Sequence, residues 1–205
     1  MHFISEQDQR RISDAIQDIE ARTNGELVTV IAQSSDDYQY IPLLWAALFA
    51  LTIPGIFLFA EIEWFLELFY VYQLTIFVFS AIVLRLPFLR LILIPKAVRQ
   101  RRAHRHAMEQ FVLNNLPATK NSNGILLFVS VAEHYVEVIA DKGINDLVPD
   151  GAWDRIVQDF TAHVKKGEIA EGFLAAVQDC GEFLIEYFPD DKDDKNDLPN
   201  HLIMV

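Results

Sequence analysis

Three aspartates lie close together in one short stretch of the sequence. Asp141, Asp146 and Asp150 surround Gly143, where an apolar run ends and a helical pattern begins. Carboxylate oxygens on a loop suit Ca²⁺ or Mg²⁺, and a glycine permits the tight backbone path that an oxygen cage needs. The spacing therefore predicts a metal site made of these three carboxylates, with Ca²⁺ as the cofactor. The structural alternative makes Asp150 a helix N-cap and Asp146 a turn residue.

A second group of carboxylates follows two apolar runs that are far apart in the sequence. Asp36 and Asp37 come after the run that ends at Ala32, and Glu133 comes after the run that ends at Val131. If the two runs are neighbouring parallel strands, their carboxyl ends meet at one edge of the sheet. These side chains then form a second polar cluster. The alternative is a solvated loop.

The sequence lacks the motifs of familiar enzyme classes. It contains no nucleophile elbow, no glycine-rich phosphate loop, and no HExxH or CxxC motif. His104 and His106 are two positions apart, so on a helix they do not share a face and are not expected to bind one metal ion. Phosphoryl transfer needs charge stabilisation that converges on the reacting group. Because no residues here supply it, we predict no catalytic or cofactor-binding residue and favour a protein that is not an enzyme.

Composition and charge restrict the class of protein further. The chain has 205 residues, which fits one ordinary domain with an addition. Its net charge of −12 argues against a nucleic-acid partner, because nucleic-acid binders carry a basic footprint. The single cysteine, Cys180, excludes an intramolecular disulfide.

Two uncharged apolar runs predict a transmembrane helical hairpin over residues 41–84. The first is Ile41 to Ala60 and the second is Leu68 to Leu84. About twenty apolar residues suffice for a helix to cross roughly 30 Å of hydrocarbon. The alternative is a pair of buried core helices, which would need a larger protein around them.

A basic stretch follows the second run and sets the expected topology. Arginines and one lysine crowd between Arg85 and Arg105, with no acidic residue before Glu109. The positive-inside rule places this end in the cytoplasm, and a hairpin brings the amino-terminal part to the same side. We therefore expect a multi-pass protein of the inner (cytoplasmic) membrane with both termini cytoplasmic. Residues 85–98 are predicted to be a basic interfacial segment, although part of it could instead be embedded.

The remaining sequence alternates between helical and strand patterns. Ile12, Ile16 and Ile19 recur on one face of an amino-terminal helix. The other patterns are strands at 26–32, 124–131 and 135–140 and helices at 98–116, 150–165 and 170–187. Residues 1–37 and 99–189 are thus predicted to form one domain interrupted by the hairpin. Residues 190–205 are predicted to be an acidic, largely disordered tail.

Two stretches of the chain resemble the TPM domain family. They are ISEQDQRRISDAIQDIEARTNGELVTVIAQS, near the amino terminus, and the sequence from Asn121 to Phe188. The similarity includes the step from a helix through Asn24-Gly25 into a strand, the stretch from Gly143 to Asp150, and the helix start between Gly167 and Gly172. The resemblance implies an α/β/α sandwich around a small mixed sheet, here interrupted by the two-helix transmembrane hairpin.

The resemblance also implies two functions of different classes. One is a membrane-anchored, non-enzymatic accessory module in the assembly, repair or quality control of a membrane protein complex. The other is a divalent-metal-dependent phosphatase, as in a plant relative. The expected partners are the membrane and another membrane protein, and the oligomeric state stays open.

Overall fold

A computed structural model describes residues 4–59, 66–86, 93–119, 122–190 and 202–205. The chain divides into two compact units. Residues 1–35 and 102–205 form the first, which we call the α/β unit, and residues 36–101 form the second, which we call the helical unit. The strands are β1 (Glu26–Ala32), β2 (Gly124–Ser130), β3 (Tyr135–Ala140) and β4 (Ile203–Met204). The α-helices are α1 (Glu6–Glu20), α2 (Tyr40–Phe59), α3 (Leu66–Val83), α4 (Lys96–Leu113), α5 (Lys142–Asn145), α6 (Ala152–Lys165) and α7 (Ile169–Tyr187).

The α/β unit is built on a four-stranded mixed sheet in the order β3-β2-β1-β4. Strand β1 runs parallel to β2, with Val28 opposite Leu126, and also parallel to β4. Strand β3 runs antiparallel to β2, as expected for strands joined by a tight turn. The predicted mixed α/β fold with a small mixed sheet is confirmed.

Both faces of the sheet are covered, because alternate strand residues point to opposite sides. Leu27, Ile31 and Leu127 face one side and pack with buried residues of α1, α6 and α7. Val28, Val30, Leu126 and Phe128 face the other side and pack with Ala107 and Phe111 of α4. The predicted inward residues of α1 (Ile12, Ile16 and Ile19) are all buried in the first of these layers.

The carboxyl-terminal residues contribute a strand where a disordered tail is expected. Ile203 pairs with Val30, and Met204 pairs with Ile31. Leu202 is buried in one layer of the core and Ile203 packs against the other. Burial of these apolar side chains on both faces of the sheet explains the order, because the cost of fixing the backbone is offset. Residues 191–201 of the predicted tail lie outside the described residues.

The helical unit consists mainly of α2 and α3, which pack against each other. The hydroxyls of Thr52 and Thr75 each donate to the carbonyl four residues earlier in their own helix, at 2.8 and 2.7 Å. A small cluster forms around buried Tyr38, Ile41 and Ile94. Most of the large apolar side chains described on α2 and α3 are exposed at least in part.

The predicted transmembrane hairpin over 41–84 is wrong. Within the ranges that the structure describes, no helix combines the length and the apolar character that a membrane crossing requires. A crossing needs about twenty residues of continuously apolar helix, whereas α3 has 18 residues and includes Gln73, Thr75 and Ser80. Helix α2 likewise includes the polar Thr52, and also Pro54, which lacks a backbone N–H donor.

The predicted multi-pass inner-membrane localisation with cytoplasmic termini depended on that hairpin and is wrong with it. The predicted basic interfacial segment at 85–98 falls partly on residues 87–92, which lie outside the described residues. Residues 60–65, between the two helices, likewise lie outside the described residues.

Candidate functional site at the ends of the parallel strands

The carboxyl ends of β1 and β2 lie side by side, with Ala32 opposite Ser130. The chain leaving β1 carries Ser34 and Ser35, and the turn leaving β2 carries Glu133. These four polar residues contact one another, and we call them the serine–glutamate cluster: Ser34, Ser35, Ser130 and Glu133. The parallel pairing expected from the sequence is what brings the two loops together.

Glu133 is the centre of the serine–glutamate cluster. Its side chain is largely withdrawn from water, with 5% of the residue exposed. The backbone N–H of Ser35 donates to Oε1 and Oε2 at 3.2 and 3.1 Å, and the Ser34 hydroxyl donates to Oε1 at 3.2 Å. The Ser130 hydroxyl donates to Oε2. A buried carboxylate is stable only when its oxygens are well hydrogen-bonded, and these donors meet that requirement.

The serine–glutamate cluster contains a hydroxyl that is hydrogen-bonded to a carboxylate, as in an activated nucleophile, but this hydroxyl is not accessible to a substrate. A hydroxyl that donates to a carboxylate can be deprotonated by it. Ser130, however, is only 1% exposed, so its Oγ cannot meet a substrate without a change in structure. Its Oγ also lies 2.7 Å from the Ser35 Oγ. The geometry therefore favours a structural role, in which the cluster holds the carboxyl ends of β1 and β2 together.

Asp36 and Asp37, predicted to join Glu133, begin the helical unit. Asp36 Oδ1 accepts the backbone N–H of Tyr38 at 2.9 Å. Asp37 Oδ2 accepts a hydrogen bond from the side-chain amide of Gln39 at 3.4 Å. Each carboxylate thus has a local turn-forming contact. The serines that do contact Glu133 were missed, although a Ser-Ser pair directly after a strand is a signal for hydrogen bonding at a strand end.

The three aspartates of the predicted metal site lie along one loop and the short helix α5. Asp141 is the N-cap of α5, and its Oδ1 accepts the Lys142 N–H at 2.7 Å. Its Oδ2 is buried without a hydrogen-bond partner. Asp146 is exposed at the other end of α5. Asp150 is exposed and precedes Gly151, which is the actual N-cap of α6 and has a φ of +78°.

These positions leave the predicted calcium site without direct support. Among the residues that the structure describes, no three His, Cys, Asp or Glu side chains are grouped so that they could hold a metal ion. Among the described residues of this loop, Asp141 Oδ2 is the one buried side-chain oxygen that lacks a hydrogen-bond donor. The calcium site at Asp141, Asp146 and Asp150 stays a prediction, and no chemical step is assigned to it.

A second polar cluster joins α4 to β3 and was not predicted. His104 Nδ1 lies 2.9 and 3.0 Å from the two carboxylate oxygens of Glu137, and the Tyr135 hydroxyl donates to Glu137 Oε2 at 3.0 Å. Burial raises the pKa of Tyr135, and the charge and hydrogen bond of Glu137 add to the effect, so the phenol stays protonated. The strand period places Tyr135 and Glu137 on one face. The two-residue spacing in the sequence could therefore have predicted that Tyr135 and Glu137 lie side by side.

An acidic groove of about 270 Å³ runs between α6 and α7. It is lined by Ala152, Arg155, Ile156, Asp159, Asp179, Glu182 and Phe183. Burial raises the pKa of Asp179, and the charges of Glu182 and Asp159 add to the effect. The groove therefore concentrates negative charge that its single arginine does not balance. Its acidic residues come from two helices, so no motif in the sequence pointed to it.

A small mixed sheet has helices on both faces, and its polar residues gather where the parallel strands end. Residues 89–183 match the TPM domain family. This part of the chain is therefore similar to the TPM domain family, in agreement with the resemblance seen in the sequence.

A solved protein has a fold similar to that of this chain. The chain is similar to the NMR structure of BA42 protein from the psychrophilic bacterium Bizionia argentinensis. The TM-score is 0.61 at 23% identity, and the alignment covers 100% of this chain and 97% of the other. At this identity the likeness concerns the fold alone. No curated protein shows significant similarity to this chain.

Proposed function

We propose that this chain is a non-enzymatic interaction module that assists the assembly, repair or quality control of another protein. The observation that carries the proposal is the apolar surface of the helical unit. Leu51, Tyr70 and Phe79 are 68%, 77% and 68% exposed. Large exposed apolar patches mark sites of interaction, because isolated exposed side chains are common but contiguous ones are not.

The polar residues of the α/β unit support the same proposal. Glu133 accepts hydrogen bonds from the loop and strand that it joins, and Asp141 caps a helix. Side chains committed to such contacts stabilise the fold and are not free to bind a reacting group. Phosphoryl transfer would need positive charge or a metal ion converging on the phosphate. The phosphatase alternative is therefore not favoured.

Site-specific photo-crosslinking in cells tests the proposal. A photoreactive residue at Leu51, in the exposed apolar surface, is expected to give a discrete protein adduct. The control position is Gln158, which is exposed on α6 in the α/β unit and should give none. The same adduct pattern at both positions would contradict a specific interaction surface on the helical unit.

A phosphatase assay separates the two classes of function. The purified chain should hydrolyse a generic phosphomonoester no faster than buffer, with or without Ca²⁺ or Mg²⁺. Hydrolysis above background that disappears in Asp150→Asn would establish the enzymatic alternative and end the present proposal.

A further inference from the structure

Strand β3 lies at one side of the four-stranded sheet, and no described strand pairs with its outer side. All of its residues are half-buried, whereas every residue of β1 and β2 is buried. The outer side of β1, in contrast, is occupied. Strand β4 pairs there with Val30 and Ile31. The Glu20 carboxylate accepts the Leu27 N–H at 3.1 Å on β1 as well. The fold thus closes β1 and leaves the outer side of β3 open.

The pairing of β3 with β2 determines which of its backbone groups face outward. The Asp141 N–H donates to the Gly124 carbonyl at 2.8 Å, and Ile139 lies opposite Leu126 in the same register. In an antiparallel pair, residues that bond to the neighbouring strand alternate with residues whose N–H and C=O point away from it. The residues of β3 whose N–H and C=O point outward are therefore Val136, Val138 and Ala140.

These outward groups form a row of three donors and three acceptors. In the part of the chain that the structure describes, no hydrogen bond joins any of them to another residue. Proteins commonly protect such a row with a proline, a lysine or a bulge. Strand β3, with the sequence YVEVIA, has neither residue, and its register with β2 is continuous. Its outer side is therefore able to pair with a further strand.

The two faces of β3 differ in chemistry. The side chains of the three outward-facing residues pack against the apolar layer that contains α1, α6 and α7. Glu137 lies on the other face, where its carboxylate contacts His104 and the Tyr135 hydroxyl. Residues opposite each other on neighbouring strands share a face. An added antiparallel strand thus places one set of side chains beside valines and the alternate set beside a carboxylate.

A second copy of β3 does not suit the carboxylate face. Antiparallel pairing about a two-fold axis could be centred on Glu137, Val138 or Ile139. The first centre places two Glu137 side chains directly opposite, the second places them on a diagonal, and the third places Glu137 opposite Asp141. Like charges at such positions weaken strand pairing. Two chains with a net charge of −12 also repel each other, so the occupant is a strand of a different protein.

We propose that the outer side of β3 binds an extended segment of another protein as an added antiparallel strand, in which apolar residues alternate with lysine or arginine. Backbone hydrogen bonds supply the affinity, and the alternate side chains supply the selectivity. The basic side chains lie on the face of Glu137, whose ionised carboxylate can accept further donors. This surface belongs to the α/β unit, so the inference does not depend on the exposed apolar surface of the helical unit.

Hydrogen exchange of the full chain, followed by NMR, tests the proposal with an eight-residue peptide of alternating valine and lysine. With millimolar peptide, exchange of the amides of Val136, Val138 and Ala140 should slow at least about ten-fold, because they become hydrogen-bonded. The amides of Glu137 and Ile139 already face β2 and should not change. Absence of this protection would overturn the proposal. So would protection confined to the acidic groove between α6 and α7, because the peptide would then bind by charge at another site.

Two N-methylated peptides test the backbone contacts without altering the chain. In the proposed pairing the valines lie opposite the outward-facing residues, so the valine N–H groups bond to β3. N-methylation of the valines should therefore raise the dissociation constant at least about ten-fold, whereas N-methylation of the lysines should change it by less than about two-fold. Equal effects of the two modifications would contradict strand pairing.

A charge reversal at Glu137 tests the preference for basic residues. Glu137→Lys should weaken binding of the valine–lysine peptide at least about ten-fold and strengthen binding of a matched valine–glutamate peptide. The control Glu186→Lys makes the same change of charge at an exposed residue of α7 and should leave both affinities nearly unchanged. Unchanged affinities in folded Glu137→Lys would overturn the proposal. If that variant does not fold, the N-methylated peptides still decide the question with the wild-type chain.

Discussion

The α/β unit and the helical unit are both rich in large apolar residues, but they place them differently. In α7, Phe173, Val177 and Leu184 are buried against the sheet and the other helices. In α3, Tyr70, Leu74 and Phe79 are exposed. The cause is the pattern. An amphipathic helix has one apolar strip to bury, whereas a helix with large apolar residues on several faces cannot cover all of them by packing on one neighbour. Internal packing thus accounts for the first set, whereas it leaves the second set exposed.

The largest expected effect compares one substitution in the two units. Phe160 is 1% exposed and packs edge-on against Phe173, with ring centroids 5.1 Å apart. Phe160→Ala should lower the free energy of unfolding by about 3–5 kcal/mol through lost burial and a cavity. Phe79→Ala should change it by less than about 0.5 kcal/mol, as at an exposed site. Chemical denaturation of both variants measures the difference.

Equal effects of the two phenylalanine substitutions would break the comparison. A large loss at Phe79 in the monomer would mean that its side chain is buried within one chain. The surface of the helical unit would then be part of an internal core.

The next effect tests whether Glu133 stabilises the fold. Glu133→Ala removes the acceptor for the Ser35 N–H and the Ser130 hydroxyl, both inside or at the edge of the core. Leaving buried donors unpaired costs about 1–3 kcal/mol, so we expect a loss of about 2–3 kcal/mol in thermal or chemical unfolding. Glu133→Gln keeps an acceptor and should lose less. An unchanged stability for Glu133→Ala would point to a functional role for this carboxylate.

A smaller effect separates helix capping from metal binding at Asp141. Asp141→Ala should cost about 1 kcal/mol through the lost N-cap of α5. The control Asp146→Ala alters an exposed residue and should change little. If Ca²⁺ binds the folded chain, millimolar Ca²⁺ raises the melting temperature by mass action, and Asp146→Asn abolishes the rise. A melting temperature that ignores Ca²⁺ would end the calcium prediction.

The smallest expected effect is the pH dependence at Asp179. Burial raises its pKa above the ordinary value of 3.8, so the folded state holds the proton more tightly than the unfolded chain does. Its contribution to stability is present below that ordinary value and is lost as the pH rises through the folded pKa. Asp179→Asn should therefore raise the melting temperature at pH 7 by about 1 °C. The difference should vanish near pH 3, and a difference independent of pH would contradict this account.

The sequence was sufficient to predict the elements of the α/β unit except β4 and the short helix α5. The apolar runs of β1 and β2 correspond to strands that are buried on both faces, and the spacing of Ile12, Ile16 and Ile19 corresponds to the buried face of α1. Strand β4 was missed because two residues are too few to show a period, and because acidic residues precede it. The transmembrane prediction failed because it relied on the absence of charged residues. A membrane crossing requires in addition a helix that is long and apolar throughout, and no described helix meets that requirement.

The candidate site was only partly predictable. The parallel strands correctly brought the loop after β1 to Glu133, but the path of that loop selected Ser34 and Ser35 as its partners. The sequence offered Asp150 as a helix N-cap. In the structure the N-cap of α6 is the next residue, Gly151, whose backbone is left-handed. Such choices depend on loop geometry, which local residue preferences do not fix.

The pairing of β4 has a consequence for solubility. Val205 accepts the Gln33 N–H at 2.9 Å and donates to the Ile31 carbonyl at 3.0 Å, so the last residues occupy the open side of β1. Without them, the carboxyl-terminal half of β1 would be an unprotected sheet edge, which is a template for strand addition by other chains. We expect Ile203→Pro, which removes one strand donor, to aggregate on warming as followed by light scattering. We therefore expect β4 to protect this edge of the sheet from strand addition by other chains.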